Sequence, residues 1–183
     1  SGAADPQNRT FIDAHPGTLV ADLVRRDWLL NLGRRGVWTT VDGEYAKWVL
    51  RDDDEVHGFA SLGRLQRGEP APAAARELLF SVRKFGDGCG ALLDAMVRSG
   101  TMQRADLRAR LRVAIETNSP DAIRRTADLL ALDRASVESA LSRPSRALGQ
   151  ASGSEIALIA IGRLARNDPA AAAKVQSQVP ILW

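Results

Sequence analysis

Asp52-Asp53-Asp54-Glu55, with His57 just beyond, is the densest group of metal-ligating side chains in the chain. Carboxylate oxygens and an imidazole nitrogen suit a divalent cation. Donors crowded into one helical turn, however, leave the coordination to be completed from elsewhere, and His15 is the only other imidazole. Acidic residues in a first turn complement the helix dipole, so the run reads as a helix cap and no metal is expected. Cys89, the single cysteine, would act as a nucleophile only with a basic partner and a helix N-terminus to hold its thiolate. It lies near an expected N-terminus, but a small buried thiol accounts for it more simply. Gly86-Asp87-Gly88-Cys89-Gly90 lacks the Lys-Ser/Thr of a phosphate loop and follows no strand, so it reads as a helix break. Glu138-Ser139 and Glu155 are the remaining candidates for general acids. A catalytic carboxylic acid needs an apolar cleft to raise its pKa, and both positions read as helix surface or cap. No catalytic residue and no cofactor is therefore expected.

The arginines are less easily assigned. Lys47, Lys84 and Lys174 are the only lysines among 25 basic residues, and ten arginines fall between Arg98 and Arg146. Arg104, Arg108 and Arg112 recur at a spacing of four and share one helical face. The plain reading is a solvated face partly paired with Asp106, Glu116, Asp121 and Asp128. The functional reading is a basic concave surface that steers an acidic polymer by long-range attraction. It makes Arg104, Arg108 and Arg112 the candidate ligand contacts.

The elements that must position these residues are short amphipathic helices. Ala75, Leu78, Val82 and Phe85 repeat at helical spacing, followed across the glycine run by Leu92, Leu93, Met96 and Val97. Leu107, Leu111, Ala114 and Ile115 form another stripe, and Ile123, Ala127 and Leu130 the next. Gly, Ser, Asn and Pro signals separate them. Helices this short cannot hide such stripes alone, so they must pack as antiparallel hairpins. Before this stretch, Thr10–Ala14 begins a first helix. A firm helix runs from Thr18 to Gly33 or Gly36, Val37–Leu50 carries an aromatic stripe, and the acidic cap opens a helix ending at Gly68. After it, Asp133 and Asp168 are expected caps, and Ser145–Gly149 is at most a short turn of helix. Ser152-Gly153-Ser154-Glu155 has capping-box spacing. Ile156–Gly162 should be the most buried helix of the C-terminal part, and Ala170–Val179 the last. The sum is about ten helices and no strand, an all-α, right-handed superhelical solenoid of antiparallel pairs. Residues 1–9 read as a disordered or tag-derived N-terminus, and 10–183 as one scaffold domain.

Composition excludes several classes. The net charge is only +3 despite an isoelectric point near 9.6, and the cations are interspersed with acids, so a nucleic-acid partner is not expected. No apolar run approaches the roughly 18 residues that span a bilayer. One cysteine excludes an internal disulfide.

Taken in order, several segments resemble the soluble lytic murein transglycosylases (Slt type). Ala75-Arg76-Glu77-Leu78-Leu79, Cys89-Gly90-Ala91-Leu92-Leu93 and Ser99-Gly100 are similar to three stretches of that family's N-terminal α-superhelical domain. Leu107–Ala114 and Ala127–Leu130 look like its next helices. Leu29–Trp38 and Ile161–Pro169 extend the likeness to roughly residues 10–179. The resemblance implies a periplasmic enzyme that cleaves the β-1,4 bond between N-acetylmuramic acid and N-acetylglucosamine to give 1,6-anhydro products. This chain would be part of its curved scaffold, with peptidoglycan, reached through the separate catalytic domain, and other cell-wall proteins as the partners the resemblance implies. The family's catalytic Glu-Ser and its following Gly-Leu-Met-Gln segment have no counterpart, so the chain is expected to be inactive by itself. Family members can also carry a second cysteine near the position of Gly58, bridging to the position of Cys89. Here that staple is gone, and packing must replace a contribution of roughly 2–4 kcal/mol. The competing class is a freestanding helical-repeat adaptor that binds a protein in its groove.

Overall fold

The computed structural model of the chain describes residues 4–83, 85–150 and 154–176. Among the described residues there are twelve α-helices and no strand, so the protein is all-α. The helices fall into two compact units, Ser1–Thr101 and Met102–Trp183, within the span that the sequence presents as one scaffold.

The first unit holds α1 (Ala4–Ala14), α2 (Leu19–Arg35), α3 (Trp38–Lys47), α4 (Asp54–Gln66), α5 (Ala73–Ser81) and α6 (Asp87–Arg98). Helix α1 corrects the expectation of a disordered segment up to residue 9, because it already begins at Ala4. The cause lies far along the chain. Asp5 accepts hydrogen bonds from the Trp28 indole at 2.9 Å and from Arg35 at 2.7 and 2.8 Å, clamping the start of α1 onto α2. Thr18 caps α2 by accepting from the Ala21 amide, and Gly36 ends it at φ 69°, a left-handed conformation that glycine adopts without strain. Trp28, Leu29 and Leu32 of α2 meet Val41, Trp48, Val56 and Ala60 in the core. The α3–α4 link is fixed by buried Asp22, whose carboxylate accepts from the amides of Val49 and Leu50 and from Arg25.

Helix α4 is the centre of this unit, packed on α2, α3, α5 and α6. Its acidic start acts as a cap, as expected: Asp53 accepts from the amides of Glu55 and Val56. Glu55 does something the local sequence does not announce. Its carboxylate accepts from the amides of Gly86, Gly88 and Cys89, at 2.9, 2.7 and 3.1 Å, and so caps α6 from another helix. That corrects the reading of the glycine run. Asp87–Gly90 is the first turn of α6 rather than a break, and its glycines permit close approach. A Cβ on Gly88 would lie 2.3 Å from the Glu55 carbonyl oxygen, and one on Gly58 would lie 2.6 Å from the Cys89 amide nitrogen. Val82 and Phe85 are not helical, although Val82 keeps its buried place, because α5 ends at Ser81.

The second unit holds α7 (Arg104–Glu116), α8 (Pro120–Leu129), α9 (Arg134–Ser142), α10 (Pro144–Gln150), α11 (Ser154–Asn167) and α12 (Pro169–Gln176). Helix α11 occupies the middle, packed on α7, α9, α10 and α12, with Ile159 and Ala160 wholly buried. Asp133 and Asp168 cap α9 and α12 through the amides of Ser136 and Ala171. The segment expected to be at most a short turn of helix extends to seven residues, α10. The start of the expected capping box, Ser152-Gly153, and the stretch from Ser177 to Val179 lie outside the described residues. Among the described residues, no helix is long and apolar enough to cross a membrane.

Candidate functional site

The side chains singled out for chemistry are committed to structure. No group of His, Cys, Asp and Glu among the described residues could hold a metal ion. Cys89 is wholly buried and donates from Sγ to the Asp54 carbonyl at 3.2 Å. Burial pushes its thiol far up from the ordinary range, and the Glu55 charge adds to this, the reverse of what a nucleophile needs. Glu138 is held below the usual carboxylate range by its hydrogen bond from Arg124, so it cannot keep a proton for acid catalysis at neutral pH. Glu155 pairs with Arg108.

Two arginines of the α7 face, Arg104 and Arg108, are similarly engaged. Arg104 Nη1 donates to the Leu130 carbonyl at 3.1 Å, where α8 ends. Arg108 Nε donates to Glu155 at 2.7 Å, tying α7 to the start of α11. Arg112 is half-buried, with its Nε shielded from solvent. The same device recurs: Arg163 donates to the Leu141 carbonyl at the end of α9, and Arg166 to the Glu116 carbonyl at the end of α7. A helix C-terminus exposes unsatisfied carbonyls and partial negative charge, and a guanidinium answers both. Arg104 and Arg108 thus share a helix, but much of their charge is spent inside the unit.

A different constellation emerges in the first unit. Helices α3, α4 and α5, with the segment between α4 and α5, line an open cleft of about 930 Å³, within the range of small-ligand sites. Tyr45 from α3 and His57 from α4 are hydrogen-bonded at 2.7 Å between the phenol oxygen and Nδ1. His57 Nε2 lies 3.0 Å from the Arg51 carbonyl, which can only accept. Nε2 therefore carries the hydrogen, and in the neutral ring Tyr45 donates to Nδ1. The Arg51 guanidinium covers the Tyr45 ring at 4.1 Å, with Arg51 itself at φ 51°. Ser61 and Arg64 of α4 face Glu77, Leu78 and Ser81 of α5 across the cleft. At the rim, Arg67 joins Asp42 and Glu69, and Arg64 Nε reaches Glu69 at 3.1 Å. The hydrogen bond from Arg67 holds the Glu69 carboxyl below its ordinary range. A smaller pocket of about 460 Å³ opens at the α1–α2 turn, flanked by exposed Leu19 and Val49.

None of the cleft's polar residues stands in a motif. Asp42, Tyr45, His57, Ser61, Arg64 and Glu77 are gathered from three helices, and only the tertiary fold unites them. No family model, curated protein or solved structure matches the chain.

Proposed function

We propose that this chain is a scaffold section of a periplasmic lytic transglycosylase, non-catalytic itself, that shapes or guides the approach of peptidoglycan glycan strands to a separate catalytic domain. In this reading its helices stack as antiparallel pairs in a right-handed superhelix, and peptidoglycan is the partner. The supporting observation is the juxtaposition of Gly58 and Cys89. The resemblance implies that these two positions are neighbours, since family members can bridge them. Here a Cβ on Gly58 would touch the Cys89 backbone, at 2.6 Å from its nitrogen and 3.0 Å from its Cα. Such a neighbourhood, across α5 and the loops on either side of it, is what the likeness would require. Packing of α4 directly on α6 takes the place of the bridge.

Retention on purified sacculi tests the proposal. The chain is expected to sediment with sacculi and to release no muropeptides from them. Absence from the pellet at both low and high salt refutes the glycan-guiding role.

A further inference from the structure

We propose that the α3–α4–α5 cleft is a binding site for an uncharged, hydroxyl- and amide-rich saccharide about two sugar rings long. The inference rests on the glycan-guiding reading and assigns it a site, in the first unit rather than on the arginine face of α7. The size of the cleft, about 930 Å³, suits a ligand of that scale. Its charges nearly balance: Arg64 and Arg67 stand against Asp42, Glu69 and Glu77, and the rim cations are already paired with rim acids. A polyanion gains little from such a lining, whereas a neutral polar ligand loses nothing.

The wall chemistry alternates in the way a saccharide requires. Ser61 Oγ and the Glu77 carboxylate have no hydrogen-bond or ion-pair partner among the described residues. Arg64 engages Glu69 through Nε, leaving its outer nitrogens to donate. A hydroxyl, a carboxylate and a guanidinium thus offer donors and acceptors across one gap, matching groups that both donate and accept. The same lining includes Pro72, Ala74 and Leu78, apolar surfaces against which the C–H face of a sugar ring can pack. Tyr45 and His57 hold each other through their 2.7 Å bond and fix the α3 side of the cleft, so the site is largely formed before binding.

The test is titration of the isotope-labelled full chain with the β-1,4-linked tetramer of N-acetylglucosamine, followed by amide chemical shifts. Shifts should gather on Tyr45, Ser61, Arg64, Glu77 and Leu78. Ser61→Val and Glu77→Ala should each weaken binding by about tenfold, as expected for one lost hydrogen bond to a ligand, with the melting temperature retained. Absence of shifts, shifts centred on α7, or unaltered affinity in both variants overturns the proposal. Binding of an acidic polysaccharide but not of the tetramer also overturns it. Sacculus retention separates the two readings. Wild-type retention that is insensitive to salt and lost in both variants supports the cleft. Retention that persists in the variants discards the cleft but leaves the scaffold role. Tetramer binding without sacculus retention keeps the cleft and discards the role.

Discussion

Replacing Gly58 by alanine isolates the contact on which the first unit depends. Two effects oppose each other. Alanine in a helix interior is favoured over glycine by about 1 kcal/mol. Against that, the new methyl would sit 2.6 Å from the Cys89 nitrogen and 2.7 Å from the Gly88 carbonyl carbon. These are backbone atoms of a helix turn that Glu55 holds through three amides, so they cannot swing aside as a side chain would. To reach ordinary contact near 3.5 Å, α4 and α6 must separate by about 0.9 Å, and a gap of that size forfeits a quarter to a half of each dispersion contact along the seam. Overpacking of this kind costs about 1–3 kcal/mol, and the loosened seam adds to it, so Gly58→Ala should be net destabilising by about 1–2 kcal/mol. Gly43 supplies the control. It lies exposed in α3 with nothing within 4 Å of its would-be Cβ, so Gly43→Ala should stabilise by about 0.5–1 kcal/mol. Thermal unfolding followed by far-ultraviolet circular dichroism reads both, at roughly 2–4 °C per kcal/mol for a chain of this length. Equal melting temperatures in the two variants would refute the close approach of α4 and α6.

Further outcomes follow from the described interactions. Glu55→Gln should lower stability by about 1–3 kcal/mol, since an amide replaces the charged acceptor of three backbone donors, and hydrogen exchange should speed selectively at Gly88 and Cys89. Native Cys89 should resist alkylating reagents at neutral pH and react only upon unfolding, since burial and the Glu55 charge disfavour its thiolate; rapid labelling of the folded chain would contradict this. Asp5 is held at about 2, below its ordinary 3.8, chiefly by the Arg35 hydrogen bond. A depressed folded pKa gives stability that is present above the unfolded value and lost as pH falls through the folded one. Asp5→Asn should therefore flatten the acid limb of the unfolding curve between pH 3.8 and about 2, and an unchanged limb would count against the α1 clamp. Arg104→Ala should destabilise the second unit by about 1 kcal/mol through the uncapped Leu130 carbonyl and leave sacculus retention intact.

How much of this was legible in the sequence depends on how far apart the partners are. Asp53, Asp133 and Asp168 cap helices within three residues of themselves, and each could be read directly. The stripes of Leu92, Leu93 and Met96, and of Leu107 and Leu111, follow helical spacing and are buried as expected. Glu55 acts on amides more than thirty residues away, and Asp5 on Trp28 and Arg35, at separations for which no spacing rule exists. Without Glu55, the glycine run looks like a break. With it, the run is a capped first turn. Val82 kept the period of α5 because it is buried, not because it is helical, and periodicity alone cannot tell those apart. The arginines are a related case, since four-residue spacing shows that Arg104 and Arg108 share a face but not that a distant carbonyl or carboxylate already holds them.

The fastening of helix ends by guanidinium groups bears on why lysine is so scarce here. A lysine could supply the charge but not the planar set of donors that reaches a neighbour's terminal carbonyl while its Nε or other amine serves elsewhere. Guanidinium also keeps its proton across the physiological pH range. The high isoelectric point then records, at least in these arginines, how the helices are joined.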